Sequence, residues 1–428
     1  MTMHAPDPVP KWIMRTIHAT YILSFLDDVC TGLFGFALSL YTAALANRMG
    51  ASPAEREFWV GLVATGWGAV YMFSAVLLGK LSDKIGRRNS LLIAMAGFIA
   101  MNVFVLFFAS HPLHLFFALC GVALFFGFVF PVLEALISEL TEPFGQRFHA
   151  RSLSIFMIAW SGGLTLAPLI GGFFVAFVGH LIAFGYLVAH ATLIAIIAIL
   201  FLPTRKKTKE YLATSKAANT GDERIDGFFT NLPRPTFKFL QASLLLLPLV
   251  FAFCNQIFFS IYPPFGERNV TGGLVLNGVN PALVVGILTF TLGVGRTLTF
   301  WHTGRLPKRH FLKAILLSPI AMASSCLVIY CARTADVLLP AFLVYGFGTG
   351  YAYAIGLILL MELTRTGKGL KAGLYEGVIG GGTLASTLIS TFIGQVDASS
   401  PYLLATLFAT GVSAAIAVLF AIQKCSSA

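Results

Sequence analysis

The sequence predicts an all-α membrane protein with twelve transmembrane helices in two pseudo-symmetric six-helix halves. Three observations predict it. Hydrophobic residues make up 57% of the chain and charged residues 11%, where a soluble domain carries about 25% charged. Apolar segments lie at roughly 16–46, 58–79, 90–110, 113–138, 151–178, 181–202, 237–262, 281–303, 311–331, 337–361, 372–394 and 401–423, and each approaches or exceeds the ~20 residues needed to cross a bilayer core. Landmarks then recur at one offset: Gly127 and Glu139 match Gly350 and Glu362, and Gly171 matches Gly394, each pair 223 residues apart.

Each element follows from simple rules. Only helices or closed barrels satisfy their backbone in lipid, and runs this long and continuous are helices. Residues 1–14 are a polar, proline-rich tail. With the tail, the even-to-odd loops and the C-terminus on one side, that side holds 24 of the 29 Lys and Arg residues; four lie opposite and Arg296 lies within a span. Basic loops face the cytoplasm, so both termini are expected there, in a bacterial inner membrane or one derived from it. The expected division is residues 1–202, a polar linker 203–236 that could touch anionic lipid, and 237–428. A net charge of +11 raises nucleic acid as a partner. Its placement in loops on one side argues instead for the lipid bilayer and topology. The first apolar run is long and carries Asp27 and Asp28, so it does not read as a cleavable signal. The six cysteines include no CxxC pair, and most lie in apolar runs as small packed hydrophobes.

One stretch organises the rest. Gly79–Leu91 reads GKLSDKIGRRNSL, a basic turn between two spans with Lys80, Lys84, Arg87 and Arg88. Gly79 and Gly86 permit close backbone approach and non-helical dihedrals. Asp83 is its lone acid and should have a specific partner, a helix N-terminus or an arginine. The stretch resembles the helix 2–3 signature of the major facilitator superfamily, G-x-L-(A/S)-D-(K/R)-x-G-R-(K/R). A decayed copy begins at Gly304-Arg305-Leu306 without the Asp. Two parallel six-helix repeats are that family's architecture. The resemblance covers essentially the whole chain. It implies a central cavity among helices 1, 4, 7 and 10, alternating access, and a gating role for Gly79, Asp83, Gly86, Arg87 and Arg88. It further implies that Asp83 contacts the start of helix 11 and arginines of loop 4–5 such as Arg151. Gly163, Ala167-Pro168 and Gly171-Gly172 in helix 5 resemble the glycine-proline motif of antiporter branches, or serve close helix packing. The outer part of helix 4 carries Cys120 and no arginine, a departure from proton-driven drug exporters.

Charges inside spans are costly and are functional candidates. Asp27 and Asp28 lie near the midplane, about 15 Å into helix 1. They point about 100° apart, so one can face a cavity while the other faces a neighbouring helix. Cys30 and Phe34 extend the face of Asp27, which favours Asp27 for the cavity. Glu134 in helix 4, Asn255 and Gln256 in a polar break of helix 7, and Tyr351 with Tyr353 in helix 10 are further substrate or proton-coupling candidates; packing is the alternative for each. Arg296 is expected to form a structural ion pair with Glu376 or Glu362. No phosphate loop, nucleophile triad or zinc spacing is present, so neither catalysis nor a cofactor is expected.

These residues read as a secondary transporter moving a small solute or ion down or against a gradient. The central helices offer acids and almost no base, which favours a cationic or neutral solute with protons as coupling ion. Carboxylates would suit a divalent metal, so an iron permease of magnetosome type is one alternative, without a diagnostic motif. A non-transporting sensor or scaffold is another; costly buried acids argue against it.

Overall fold

The computed structural model describes residues 9–218, 234–303, 306, 310–363 and 368–427. Among them are twelve helices long and apolar enough to span a membrane. They are α1 (Lys11–Arg48), α2 (Pro53–Ile85), α3 (Arg87–Phe108), α4 (Pro112–Thr141), α5 (Gln146–Phe177), α6 (His180–Phe201), α7 (Leu245–Asn269), α8 (Pro281–Thr303), α9 (Phe311–Cys331), α10 (Ala335–Leu363), α11 (Lys368–Val396) and α12 (Ser400–Ser427). A linker helix covers Arg205–Ala218.

Packing repeats at an offset of six spans. α1 packs on α5 and α6, α2 on α4, and α3 on α4 and α6; correspondingly α7 packs on α11 and α12, α8 on α10, and α9 on α10 and α12. The first six spans meet the last six along two long seams, α2 against α11 and α5 against α8. Small residues set both seams. A methyl group on Gly380 would lie 2.7 Å from Met72 Cα, and one on Gly286 would lie 2.6 Å from the carbonyl oxygen of Pro168. The helix 5 motif is thus used for packing: Ala167 abuts Gly32 of α1, while Pro168 and Gly172 abut α8.

Three local departures from plain helix matter. The signature stretch is mostly helical. α2 runs to Ile85, and only Gly86, at φ 93°, breaks it before Arg87 opens α3. Gly79 lies inside α2, facing Pro131 of α4, rather than in a turn. Second, α4 is interrupted between Phe126 and Phe130. There Gly127 crosses the backbone of Ser74, whose hydroxyl donates to the Ala123 carbonyl at 2.9 Å. Third, α7 contains one π turn, Ile257–Ile261, directly after Asn255 and Gln256. Such bulges shift the register of a helix face and often sit at functional sites.

Candidate functional site

Residues from α1, α2, α4, α5, α7, α8, α10 and α11 enclose a central cavity of about 180 Å³. On α1 its wall is formed by Asp28, Thr31, Gly32, Phe34, Gly35, Leu38 and Ser39. A methyl group on Gly35 would meet nothing within 4 Å, so that face of the helix stays open. Asp28 therefore lines the cavity. Asp27 is equally buried but is not part of the wall, which corrects the expectation that favoured it. Asp28 shares its face with Thr31, Gly32 and Gly35; of the residues that extend the face of Asp27, Phe34 reaches the wall further along the helix while Cys30 is packed in the core.

Opposite Asp28 stands Arg296 of α8, fully buried. Its Nη1 donates to Asn255 Oδ1 at 3.4 Å, and its Cζ lies 5.8 Å from the centre of the Trp160 ring and 5.4 Å from that of Phe259. Nε and Nη2 have no partner among the described residues. The expected ion pair with Glu376 does not form. Glu376 instead accepts from the Tyr71 hydroxyl at 3.0 Å across the α2–α11 seam. The aromatic rings beside Arg296 and the amide of Asn255 hold its guanidinium over the cavity. The side chain of Glu362 lies outside the described residues. Asp28, Glu376 and Arg296 thus converge on one space from three helices. Asp28 is close enough to Arg296 to act on it electrostatically.

The other sequence candidates divide. Gln256 lines the cavity, and its amide donates to Ser260 Oγ at 2.6 Å. Ser260 in turn offers its carbonyl oxygen to Ser39 of α1 at 2.7 Å. Glu134 is buried behind the wall with neither oxygen partnered among the described residues, in electrostatic reach of Glu376. Tyr351 is not in the wall. Its hydroxyl meets His302 Nδ1 at 2.7 Å, and Tyr353 faces the cavity in its place. Two residues along a helix turn the side chain by about 200°, so only one of the two tyrosines can face inward.

Towards the face that carries the α2–α3 turn, an aromatic cluster underlies the cavity. The Trp160 ring of α5 packs edge-on against Tyr353 of α10 at 5.1 Å and tilts on Phe300 of α8 at 5.2 Å, and Phe251 of α7 meets Tyr353 at 5.1 Å. In the signature itself, Arg87 is the hub. It pairs with Asp83 at 2.7 Å, with Glu139 of α4 at 2.5 Å, and with the Ser82 hydroxyl at 2.5 Å. Asp83, 58% exposed, therefore pairs within its own turn and not with Arg151. Arg151 instead lies near Tyr21 of α1. Arg88 is half-buried beside the hub. The side chains at the start of α11 and the decayed signature copy, Leu306 apart, lie outside the described residues.

At the opposite face the fold forms a polar clasp that sequence reasoning missed. Glu57 at the start of α2 accepts from Arg56 at 3.0 Å and from Arg268 at the end of α7. Arg56 and Arg268 count in the sequence only as loop charges, and no spacing signals that Glu57 joins them. Ion pairs thus bridge α2 and α7 on one face of the protein, and aromatic rings pack beneath the cavity towards the other. Among the described residues no three His, Cys, Asp or Glu side chains gather as a metal cage would require.

Known proteins resemble the chain over most of its length. The solved peptide transporter POT in complex with sulfate superposes with a TM-score of 0.73 at 13% identity, covering 96% of this chain and 94% of that one. A POT family transporter in complex with 5-aminolevulinic acid superposes with a TM-score of 0.74 at 12% identity, covering 96% of both chains. At such identities the likeness is one of fold. Among curated proteins, the staphyloferrin B transporter of Staphylococcus aureus (strain NCTC 8325 / PS 47) is 22% identical over 387 residues, covering 90% of this chain and 87% of its own. The Escherichia coli (strain K12) protein YaaU, named for metabolite transport, is 30% identical over 147 residues; that match spans 34% of this chain and only 30% of YaaU. The Major Facilitator Superfamily profile matches residues 20–370, and with twelve spans packed in a repeat of six the chain belongs to that superfamily of membrane transporters.

Proposed function

We propose that this transporter moves a small solute bearing a cationic group by alternating access, coupled to protons. The observation that carries the reading is the convergence of Asp28, Glu376 and Arg296 on one cavity of about 180 Å³. Two carboxyl groups against one guanidinium leave one negative charge to be balanced. A proton or the cationic group of a solute can balance it, and competition for that charge couples the two. Arg296 widens the sequence-based preference for cationic or neutral solutes. Its two free donors suit an acceptor at the other end of the solute, so a small zwitterion fits as well as a cation. The volume supports a small solute, since pockets for drug-sized ligands run about 300–1,000 Å³. Among the described residues a divalent metal lacks the ligand cluster it would need.

In this reading residues 1–202 and 237–428 are the two rocking halves, joined by the linker, with both termini and the α2–α3 turn cytoplasmic. Substrate class is tested by counterflow in proteoliposomes loaded with small amines, amino acids and inorganic cations in turn. Exchange of an amine or zwitterion, accelerated by a pH gradient, supports the proposal. Exchange confined to anions refutes it.

A further inference from the structure

On the face that carries the α2–α3 turn, the start of α1 and the end of α6 enclose a groove of about 500 Å³. It is separate from the central cavity and plays no part in the transport reading above. Lys11, Arg15, His18 and Ile22 follow at intervals of four, three and four residues, all exposed, so they form one stripe of the helix. α6 supplies Ile197 and Phe201 across from them. The stripe is ordered by depth. Its three basic groups occupy the first two turns or so of the span, and Ile22 lies about 16 Å beyond Lys11. Charge thus sits at the water boundary and an apolar floor lies below it.

None of the three basic side chains takes part in an ion pair among the described residues. Arg15 is held in place without being neutralised, its guanidinium 4.7 Å from the centre of the Phe201 ring. The linker helix packs against α1 outside the groove, with the Lys207 ammonium 4.3 Å from the centre of the Trp12 ring and Tyr211 edge-on to the same ring at 5.5 Å.

We propose that this groove binds an anionic phospholipid, its phosphate between Lys11, Arg15 and His18 and one acyl chain along Ile22, Ile197 and Phe201. A soluble anion would satisfy the charges but would gain nothing from the apolar floor. An uncharged lipid would use the floor and leave the cations unmatched. The general bias of basic residues towards one side of a membrane accounts for their number. It does not account for their register above an apolar floor, and that register is what the experiment probes.

The test uses the purified full-length chain in nanodiscs of phosphatidylcholine with or without phosphatidylglycerol, read by native mass spectrometry and by thermal unfolding. Each basic residue near an anionic headgroup is worth about fivefold in binding. The pair Lys11→Gln and Arg15→Gln should therefore weaken phosphatidylglycerol retention by at least tenfold. Ile22→Gln should weaken it as well. Lys313→Gln, which removes one charge on the same face at the exposed start of α9, should leave it unchanged. Glycerol 3-phosphate should not raise the unfolding temperature. Should the paired variant prove poorly folded, Arg15→Gln alone carries the test, with about a fivefold loss expected. Equal retention of phosphatidylglycerol in the groove variants and Lys313→Gln would overturn the proposal. So would stabilisation by glycerol 3-phosphate equal to that by the lipid.

Discussion

Replacing Glu57 by Gln should loosen the bridge between α2 and α7. Glu57 and Arg56 are neighbours on α2 and move together, so their 3.0 Å pair persists whether α2 and α7 are apart or together. Only the bridge to Arg268 is lost on opening. Breaking a fully buried pair costs ~3–5 kcal/mol, and an exposed one ~0–1 kcal/mol. The bridge lies between these limits, because Glu57 is 6% exposed and Arg268 34%. We therefore assign it about 1–2 kcal/mol, which is roughly a 5- to 30-fold shift towards the state with α2 and α7 apart. Gly35→Cys in a background without native cysteines reports that shift, since its side chain would project into open cavity. Its labelling by an impermeant thiol reagent from the α2–α7 face should accelerate 5- to 30-fold with Glu57→Gln, and not with Glu55→Gln, which touches only the helix cap at Ser52. An unchanged labelling rate in the Glu57 variant would refute the clasp.

Other outcomes follow from the same geometry. Arg87→Ala should reduce flux more than Asp83→Asn, because Arg87 also ties α3 to Glu139 of α4 while Asp83 is largely exposed; equal effects in a flux assay at matched protein level would contradict the hub. In intact cells a cysteine at Lys209 should be shielded from an impermeant reagent and one at Asn277 labelled, and the reverse would invert the proposed orientation. Asp397 receives the Ser399 hydroxyl at 2.5 Å, its backbone N–H at 3.2 Å and the Ser400 hydroxyl at 3.1 Å, and these bonds hold its carboxyl below the usual range. Its stabilising effect, about 1 kcal/mol for hydrogen bonds of this kind, should be full near neutral pH and fade as pH falls through the acid range. A thermal-shift comparison of Asp397→Ala with the wild type should therefore show a difference at pH 7 that shrinks near pH 3.

How much of this was legible in the sequence follows from which forces act locally. Span number and order were readable because the bilayer imposes length and apolarity on each segment separately. The intramembrane charges were readable as candidates because each stands out against an apolar run. Which way they point was not. Asp27 and Asp28 differ only by a 100° turn, and the choice falls to where Gly35 and Thr31 leave space. Arg296 looked like an ion-pair partner because acids were its only sequence-level match, yet an amide and two aromatic rings from other helices hold it. The Arg56–Glu57–Arg268 clasp joins residues more than 200 positions apart, and no local pattern announces it. The signature reads as a turn from Gly79 onwards, but α2 continues past Gly79 to Ile85 and only Gly86 takes a non-helical conformation.

The central claim is that Asp28 carries the charge for which proton and solute compete, while Asp27 serves packing. An ionised carboxylate at the midplane is costly unless it is paired, hydrated or protonated, and of the two aspartates only Asp28 lines the cavity. The most direct measurement is solute accumulation in proteoliposomes across a range of pH, with Asp28→Asn and Asp27→Asn compared at equal protein. Asp28→Asn should abolish gradient-driven accumulation and flatten its pH dependence. Asp27→Asn should keep the wild-type pH profile and lower thermal stability instead. Wild-type pH dependence in the Asp28 variant would contradict the account and move the coupling role to the buried carboxyls of Glu134 and Glu376.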